Sequence, residues 1–157
     1  MKSHSIVITE HDMERLSRLI RGAQHSFLRD KQQLDQLERV LQSAEVQPLN
    51  NTPKSVVRIG SRIHVCDIRT RKKEIYTVVF PDEANASLGL ISILAPIGIA
   101  LIGRGKGAVV DALVPGGIRR LRIVHVIQSR DSSGKNALRL SRQITPPNLG
   151  GEERVAA

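Results

Sequence analysis

The chain has 157 residues, enough for one domain or a small domain with an appendage, and too few for a large multidomain enzyme. Lys and Arg number 24 against 15 Asp and Glu, so the formal charge is +9 and favours an anionic partner: a nucleic acid, a membrane surface or an acidic protein. Two Phe, one Tyr and no Trp are too few to stack many nucleobases or to line an aromatic ligand pocket.

The start of the chain predicts a cytoplasmic protein, because it lacks an apolar stretch long enough for a secretory signal. The single cysteine, Cys66, cannot form an internal disulfide, which suits a reducing compartment. Residues 88–103 are uncharged, but they are fewer than the roughly 20 that span a bilayer and include Pro96. We therefore expect a buried strand, a turn and a short helix there, and no membrane partner.

Residues 1–8 form an N-terminal segment, and residues 9–47 predict two amphipathic helices in a short antiparallel hairpin of the coiled-coil kind. Thr9 is suited to cap the first helix, because acidic residues follow in its first turn. Apolar residues recur on both sides of a break at 22–26: Met13, Leu16, Ile20 and Ala23, then Phe27, Leu34, Leu37, Leu41 and Ala44. The stripes are narrow, which favours a protruding hairpin with helices of about 13 and 20 residues; two surface helices packed on a globular domain are the alternative.

Residues 48–54, with two prolines around two asparagines, predict a linker, and from residue 55 the pattern becomes β. Strands are expected over 56–59, 62–68, 73–80, 90–94, 108–114 and 118–128, and a helix begins at Pro96. The Pro-Gly-Gly run at 115–117 is typical of a hairpin turn. The fold class is therefore α+β, with a mainly antiparallel sheet and one short helix over 55–130. Residues 131–157, rich in Ser, Asn, Pro and Gly, are expected to be a disordered tail.

The positive charge belongs to the C-terminal part: residues 53–130 carry 13 basic and 5 acidic side chains, whereas residues 9–46 carry 6 and 7. A basic patch is expected at the turn between the strands at 62–68 and 73–80, and it comprises Arg69, Arg71, Lys72 and Lys73. It suits phosphate or an acidic protein surface, and equally a solvated tip that discourages edge-to-edge sheet association.

Residues with catalytic potential are sparse. The histidines, at 4, 11, 25, 64 and 125, have no metal-ligand spacing, so we expect no metal site and no cofactor. Asp82 and Glu83 are adjacent after a strand, where neighbouring side chains seldom converge on one reacting atom. We interpret them as turn acids or partner contacts and not as an acid/base pair.

Several short motifs follow one another between residues 53 and 130: VFPDEA at 79–84, IS at 91–92, APIGIALIG at 95–103, Gly107, and PGG at 115–117. Their order and spacing resemble the C-terminal domain of the GreA/GreB transcript cleavage factors. The resemblance implies an FKBP-like fold that docks on bacterial RNA polymerase at the rim of the secondary channel, while a long N-terminal coiled coil enters the channel. On this basis we expect polymerase contacts from Asp82, Glu83, Ser92, Ala95, Pro96 and Ile97.

The N-terminal part departs from that family's pattern. The family's coiled coil is much longer, and its tip presents an Asp and a Glu three residues apart that help hold a catalytic magnesium ion. The tip expected here offers one acid, Asp30, among Arg21, His25 and Arg29, which is a weak magnesium ligand.

The opening IVITEHDMERL at 6–16 is similar to the Rnk branch, the regulators of nucleoside diphosphate kinase. It implies a monomeric, non-catalytic regulator that binds polymerase and competes with Gre factors without stimulating cleavage. Such a protein would meet nucleic acid only through the transcription complex.

Three other functions stay open at this stage. One is an active cleavage factor, if a second acid joins Asp30 in space. A prolyl isomerase is suggested only by the FKBP-like fold, and the domain has few aromatic residues for such a pocket. Direct nucleic-acid binding by the basic domain would be mainly electrostatic and sensitive to salt.

Overall fold

The computed structural model describes residues 5–23 and 31–128. Three α-helices and seven β-strands are formed within these residues. The helices are α1 (Glu10–Ala23), α2 (Lys31–Ser43) and α3 (Pro96–Leu101). The strands are β1 (Val7–Thr9), β2 (Glu45–Gln47), β3 (Arg62–Asp67), β4 (Lys73–Val79), β5 (Leu90–Ser92), β6 (Val109–Val114) and β7 (Gly117–Ile127). The α+β class with N-terminal helices is confirmed.

The main sheet has five strands in the order β5-β4-β3-β7-β6. Only the β4–β5 pair is parallel, so the sheet is mainly antiparallel as predicted. Between β6 and β7 Val114 pairs with Gly117, whose φ of 126° a side chain would strain; this confirms the expected Pro-Gly-Gly hairpin. A bulge after His64 shifts the register between β3 and β7 and increases the curl of the sheet.

The helices form where the sequence places them, with two differences at their ends. Thr9 caps α1 as predicted, because its hydroxyl oxygen accepts a hydrogen bond of 3.1 Å from the Asp12 N–H. The break expected at 22–26 begins later, since Gly22 and Ala23 still belong to α1. The described part of α2 has 13 residues against an expectation of about 20, and the residues between the helices lie outside the described ranges.

A small parallel sheet of β1 and β2 holds the start of α1 beside the end of α2. Helical periodicity could not reveal it, because each strand has three residues. β1 also joins the two parts of the chain, since the Val7 N–H donates to the Gly103 carbonyl at 2.9 Å. Within the N-terminal segment expected at residues 1–8, Val7 and Ile8 thus form the first two residues of β1.

The two helices and the main sheet share one apolar core. Leu16 and Ile20 of α1 and the buried leucines of α2, at 34, 37 and 41, belong to the same cluster as the inner face of the sheet. The predicted stripes are thus buried at these leucines and at Ile20, and half-buried at Met13, Ala23 and Ala44, whereas Phe27 lies outside the described residues. The helices are not separate from the sheet domain near the end of α2, because Val40 of α2 and Ala100 of α3 line one groove.

The remaining boundaries differ by a few residues. The strand expected over 56–59 is reduced to a single bridge between Val56 and Gly105, and the predicted linker at 48–54 contains a 3-10 helix, Leu49–Asn51. Residues 88–103 form the expected strand, turn and helix. No helix among the described residues is long and apolar enough to cross a bilayer. The expected tail at 131–157 lies outside the described residues.

Candidate functional site

The predicted polymerase contacts come from two segments that the sheet brings to one edge. β4 and β5 are parallel neighbours with Val79 opposite Ser92, and the Ile93 N–H donates to the Val79 carbonyl at 2.8 Å. The residues that follow the two strands therefore leave the sheet side by side. The docking edge, as we name it, consists of residues 81–83 after β4 and residues 92–97, which begin at the last residue of β5.

The corner between β5 and α3 is fixed by hydrogen bonds around Ser92. Its hydroxyl accepts from the Leu94 N–H at 3.0 Å, and its carbonyl accepts from the Ala95 N–H at 2.9 Å. Pro96 then begins α3 at a position where its missing N–H costs nothing. Ala95, Pro96 and Ile97 are half-buried, so each presents part of its side chain at the surface.

Gly98 permits α3 to lie directly against β5. A Cβ built on Gly98 would stand 2.2 Å from the Ser92 carbonyl oxygen, well inside the contact distance. No other residue type fits without moving the helix or the strand. The sequence contains this glycine, but only the fold shows what it approaches.

The acidic part of the docking edge is a single 3-10 turn, Pro81–Glu83. The Glu83 N–H donates to the Phe80 carbonyl at 3.0 Å and closes the turn. Asp82 is exposed, whereas Glu83 is half-buried. Together with the corner, the turn makes a surface of one projecting carboxylate beside small apolar side chains, which suits protein docking better than catalysis.

Two neighbours of this edge were missed from the sequence. The Asn85 side chain accepts from the Ser87 N–H at 3.1 Å and caps a 3-10 helix, Ala86–Leu88, that ends at Gly89 with a φ of 72°. On the other side, the Arg15 guanidinium of α1 lies over the Phe80 ring, 4.6 Å from its centroid. α1 thus contacts the residue that directly precedes the acidic turn of the docking edge.

Asp12 joins α1 to the sheet domain from a buried position. Its carboxylate accepts a hydrogen bond of 3.0 Å from the Ile59 N–H, 47 residues along the chain. Burial raises the pKa of Asp12, although the Ile59 N–H and the nearby Arg15 guanidinium act in the opposite direction. Arg58 lies in the same groove, where its guanidinium donates to the Thr52 carbonyl.

The predicted basic patch is exposed and lies at the other end of β4 from the docking edge. Asp67 shapes the turn, because its Oδ1 accepts from the N–H groups of Arg69 and Thr70 at 2.9 and 3.1 Å. Lys72 forms an ion pair with Glu74 at 3.4 Å. Because Lys73 begins β4 and the acids follow its end, the rest of the strand separates the patch from Asp82 and Glu83, and the two do not form one site.

Arg119 of β7 organises a cluster that the sequence did not suggest. It donates to Asp67 at 3.1 Å, to Glu74 at 2.6 Å and to the Tyr76 hydroxyl at 3.3 Å. Burial raises the pKa of Glu74, but hydrogen bonds from Tyr76 and Arg119 outweigh it, so the net shift is downward. All the acceptors in this cluster are occupied within the protein, so we interpret it as structural.

Of the predicted tip residues, only Arg21 is described, as an exposed residue near the end of α1. His25, Arg29 and Asp30 lie outside the described ranges. Within residues 5–23 and 31–128, no three His, Cys, Asp or Glu side chains come close enough to hold a metal ion. His64 and His125 face each other across β3 and β7 with ring centroids 6.0 Å apart, and burial lowers the pKa of His64.

Comparison with family models divides the chain in two. The GreA/GreB C-terminal domain of transcription elongation factors matches residues 52–128, and the Rnk N-terminus matches residues 4–46. The boundary between them falls at β2 and the 3-10 helix that follows it.

Among curated relatives, the transcription elongation factor GreA of Orientia tsutsugamushi is 34% identical over 103 residues, which cover 66% of this chain and 64% of that protein. GreA of Bartonella tribocorum is 33% identical over 93 residues, 59% of each. The chain thus matches about three fifths of the length of these relatives.

A solved structure from Nitrosomonas europaea, described as a prokaryotic transcription elongation factor GreA/GreB, is 35% identical. The match covers 78% of this chain and 98% of that one, with a TM-score of 0.63. The shared fold and the motifs around the docking edge lead to one assignment: the chain belongs to the GreA/GreB transcription elongation factor family and has an N-terminal segment of the Rnk kind.

Proposed function

We propose that this protein is a non-catalytic regulator that binds bacterial RNA polymerase near the secondary channel and competes with Gre factors without stimulating transcript cleavage. The observation that carries the proposal is the docking edge, where parallel pairing of β4 and β5 joins the acidic turn to the Ser92–Ile97 corner. Relatives that are 33 and 34% identical to this chain over 93 and 103 residues are named transcription elongation factors.

The N-terminal part supports the claim that the protein does not stimulate transcript cleavage. Because β1 and β2 hold the start of α1 beside the end of α2, the helices suit a short antiparallel hairpin on an FKBP-like domain. The 14 residues of α1 rise only about 21 Å, at 1.5 Å per residue. With Asp30 as the single acid expected at its tip, the hairpin would obstruct the channel entrance and contribute no magnesium ligand pair.

In this proposal the protein acts as a monomer in the cytoplasm, and it contacts nucleic acid only through the transcription complex. It is not an enzyme, and it needs no cofactor. The alternative within the same family is an active cleavage factor, and it rests on the GreA names of the relatives. Prolyl isomerase activity and direct nucleic-acid binding remain less favoured alternatives, because Tyr76 and Phe80 are the only Phe, Tyr or Trp side chains among the described residues.

The first experiment is a pull-down of core RNA polymerase with the full chain, repeated with a GreA protein as competitor. Asp82→Arg reverses the exposed carboxylate of the docking edge, and Glu45→Arg on β2 is the matched control because it is also an exposed acid and lies outside both the docking edge and the helices. We expect Asp82→Arg to weaken binding about tenfold and Glu45→Arg to change it less than about twofold. Equal loss in both variants would show that overall charge, and not the docking edge, governs binding.

The second experiment measures transcript cleavage by stalled elongation complexes with the chain added. We expect cleavage at the background rate, and less GreA-stimulated cleavage as the chain is titrated in. Magnesium-dependent cleavage well above background would establish the alternative.

A further inference from the structure

The outer face of the five-stranded sheet, opposite the core, carries more aliphatic surface than a solvated face normally does. Alternation along β3 puts Ile63 and Val65 in the core, so their neighbours belong to the outer face. The pairing register extends this face across β4, β7 and β6. Its aliphatic residues are 40 to 65% exposed: Ile75, Val109, Leu113, Ile118 and Ile127.

The same face is positively charged. Arg62, Lys73, Arg120 and Arg122 belong to it by the same register, and Asp111 is its one acid among the strand residues described. Asp111 forms an ion pair with Arg120 at 2.8 Å. Within the described residues, no carboxylate forms an ion pair with Arg62, Lys73 or Arg122. Aliphatic side chains are therefore presented outward on β4, β6 and β7, with cations on β3, β4 and β7.

This face is separate from the docking edge. The docking edge consists of segments that leave β4 and β5, whereas the outer face is formed mainly by β3, β6 and β7. At the corner where the two approach, Leu88 packs on Val79 and Leu90 and covers the sheet. A partner on the outer face would thus bind independently of one on the docking edge.

We propose that the outer face binds an acidic protein segment that lies across the strands as an amphipathic helix. A helix suits the flat face of a sheet, since strand addition requires an edge. Acidic side chains on the segment complement the cations, and its apolar side chains cover the exposed aliphatic residues.

Two other occupants fit less well. A second copy of this chain, placed face to face, would set its cations against themselves and be repelled. A nucleic acid would meet the cations but find no Phe, Tyr or Trp among the described residues of this face, because Tyr76 lies on the opposite face and Phe80 contacts Arg15. The rings on this face are the two imidazoles of His64 and His125, which contact each other edge to face. A nucleic acid would also leave the aliphatic residues uncovered.

The test uses the full chain and a synthetic peptide of about 20 residues with Glu on one helical face and Leu on the other. A scrambled peptide of the same composition is the peptide control. Lys73→Glu with Arg122→Glu reverses two exposed cations of the outer face, and Lys31→Glu with Arg39→Glu makes the same charge change on α2. We expect saturable binding of the amphipathic peptide, about tenfold weaker for the first pair and changed less than about twofold for the second.

Amide NMR spectra locate the binding, and we expect shifts confined to β3, β6, β7 and the first half of β4, where Lys73 and Ile75 lie. Ile75→Ser with Val109→Ser removes apolar area without changing charge and should also weaken the peptide. Equal binding of the scrambled peptide, or equal loss in both charge variants, would overturn the proposal. So would tighter binding of oligouridine at the same amides, or a dimer in sedimentation that dissociates in the serine variant.

Discussion

Gly98→Ala gives a direct test of the corner that forms half of the docking edge. The added Cβ would stand 2.2 Å from the Ser92 carbonyl oxygen and 3.2 Å from the Ile93 Cα, whereas ordinary contacts begin near 3.4 Å. Both neighbours are backbone atoms, so no side chain can turn aside. α3 and β5 must therefore separate by about 1 Å, which breaks their packing.

The expected cost is at the upper end of that for overpacked sites, about 3 kcal/mol of unfolding free energy. The assay is urea unfolding followed by far-UV circular dichroism, with the slope of the transition checked for each variant. Gly22→Ala is the matched control, because its Cβ would meet no atom within 4 Å. It should be neutral or stabilise α1 by up to about 1 kcal/mol. A loss below about 0.5 kcal/mol for Gly98→Ala would refute the close approach of α3 to β5.

Three further substitutions test other parts of the structure. Asp12→Ala removes the acceptor of the buried Ile59 N–H, whereas Asp12→Asn keeps an acceptor. The free energy of unfolding should therefore be about 1 to 3 kcal/mol lower for Asp12→Ala than for Asp12→Asn, and equal values would contradict that hydrogen bond. Because burial raises the pKa of Asp12, the charged carboxylate destabilises the fold at neutral pH, and Asp12→Asn should be more stable than the wild type there. This gain should disappear as the pH falls through the raised pKa and the wild-type carboxyl becomes neutral. A gain that grows in acid would show that the pKa of Asp12 is lowered instead. Arg119→Met should destabilise the protein by about 1 to 2 kcal/mol at neutral pH. The folded-state pKa of Glu74 is lowered, so the difference in unfolding free energy between the wild type and Arg119→Met should shrink as the pH falls below the ordinary value of 4.5. If urea unfolding gives the same difference from neutral to acid pH, the Arg119–Glu74 pair does not supply it. Gly89→Ala puts a side chain at a φ of 72°, and its Cβ would stand 2.8 Å from the Ile75 carbonyl oxygen. It should therefore lower the melting temperature by several degrees, whereas Gly116→Ala, whose Cβ would meet no atom within 4 Å, should not.

Local patterns predicted the elements that depend on local chemistry. The Thr9 cap, the buried leucines of α2 and the Pro-Gly-Gly hairpin each follow from spacing or turn chemistry within a few residues. The strands of the main sheet were found within a few residues for the same reason, because alternation reports which side chains face a core.

Features that depend on contacts distant in sequence could not be predicted in the same way. β1 and β2 have three residues each and exist only because they pair with each other. The hydrogen bond from Ile59 to Asp12 and the Arg119 cluster join residues about 45 to 50 positions apart, which no local pattern reports. The docking edge is intermediate: its residues were predicted individually, but their proximity required the parallel pairing of β4 with β5.

The attachment of β1 has a consequence for how such proteins can be recombined. Gly103 lies so close to β1 that a Cβ there would stand 2.4 Å from the Ile6 side chain, and the Val7 N–H donates to its carbonyl. The matched segments at 4–46 and 52–128 are therefore fitted to each other at a shared seam. A chimera that joins the helices of another protein to residues 52–128 must therefore keep Gly103 and a first strand that fits against it. Otherwise the helices will be oriented differently relative to the sheet domain.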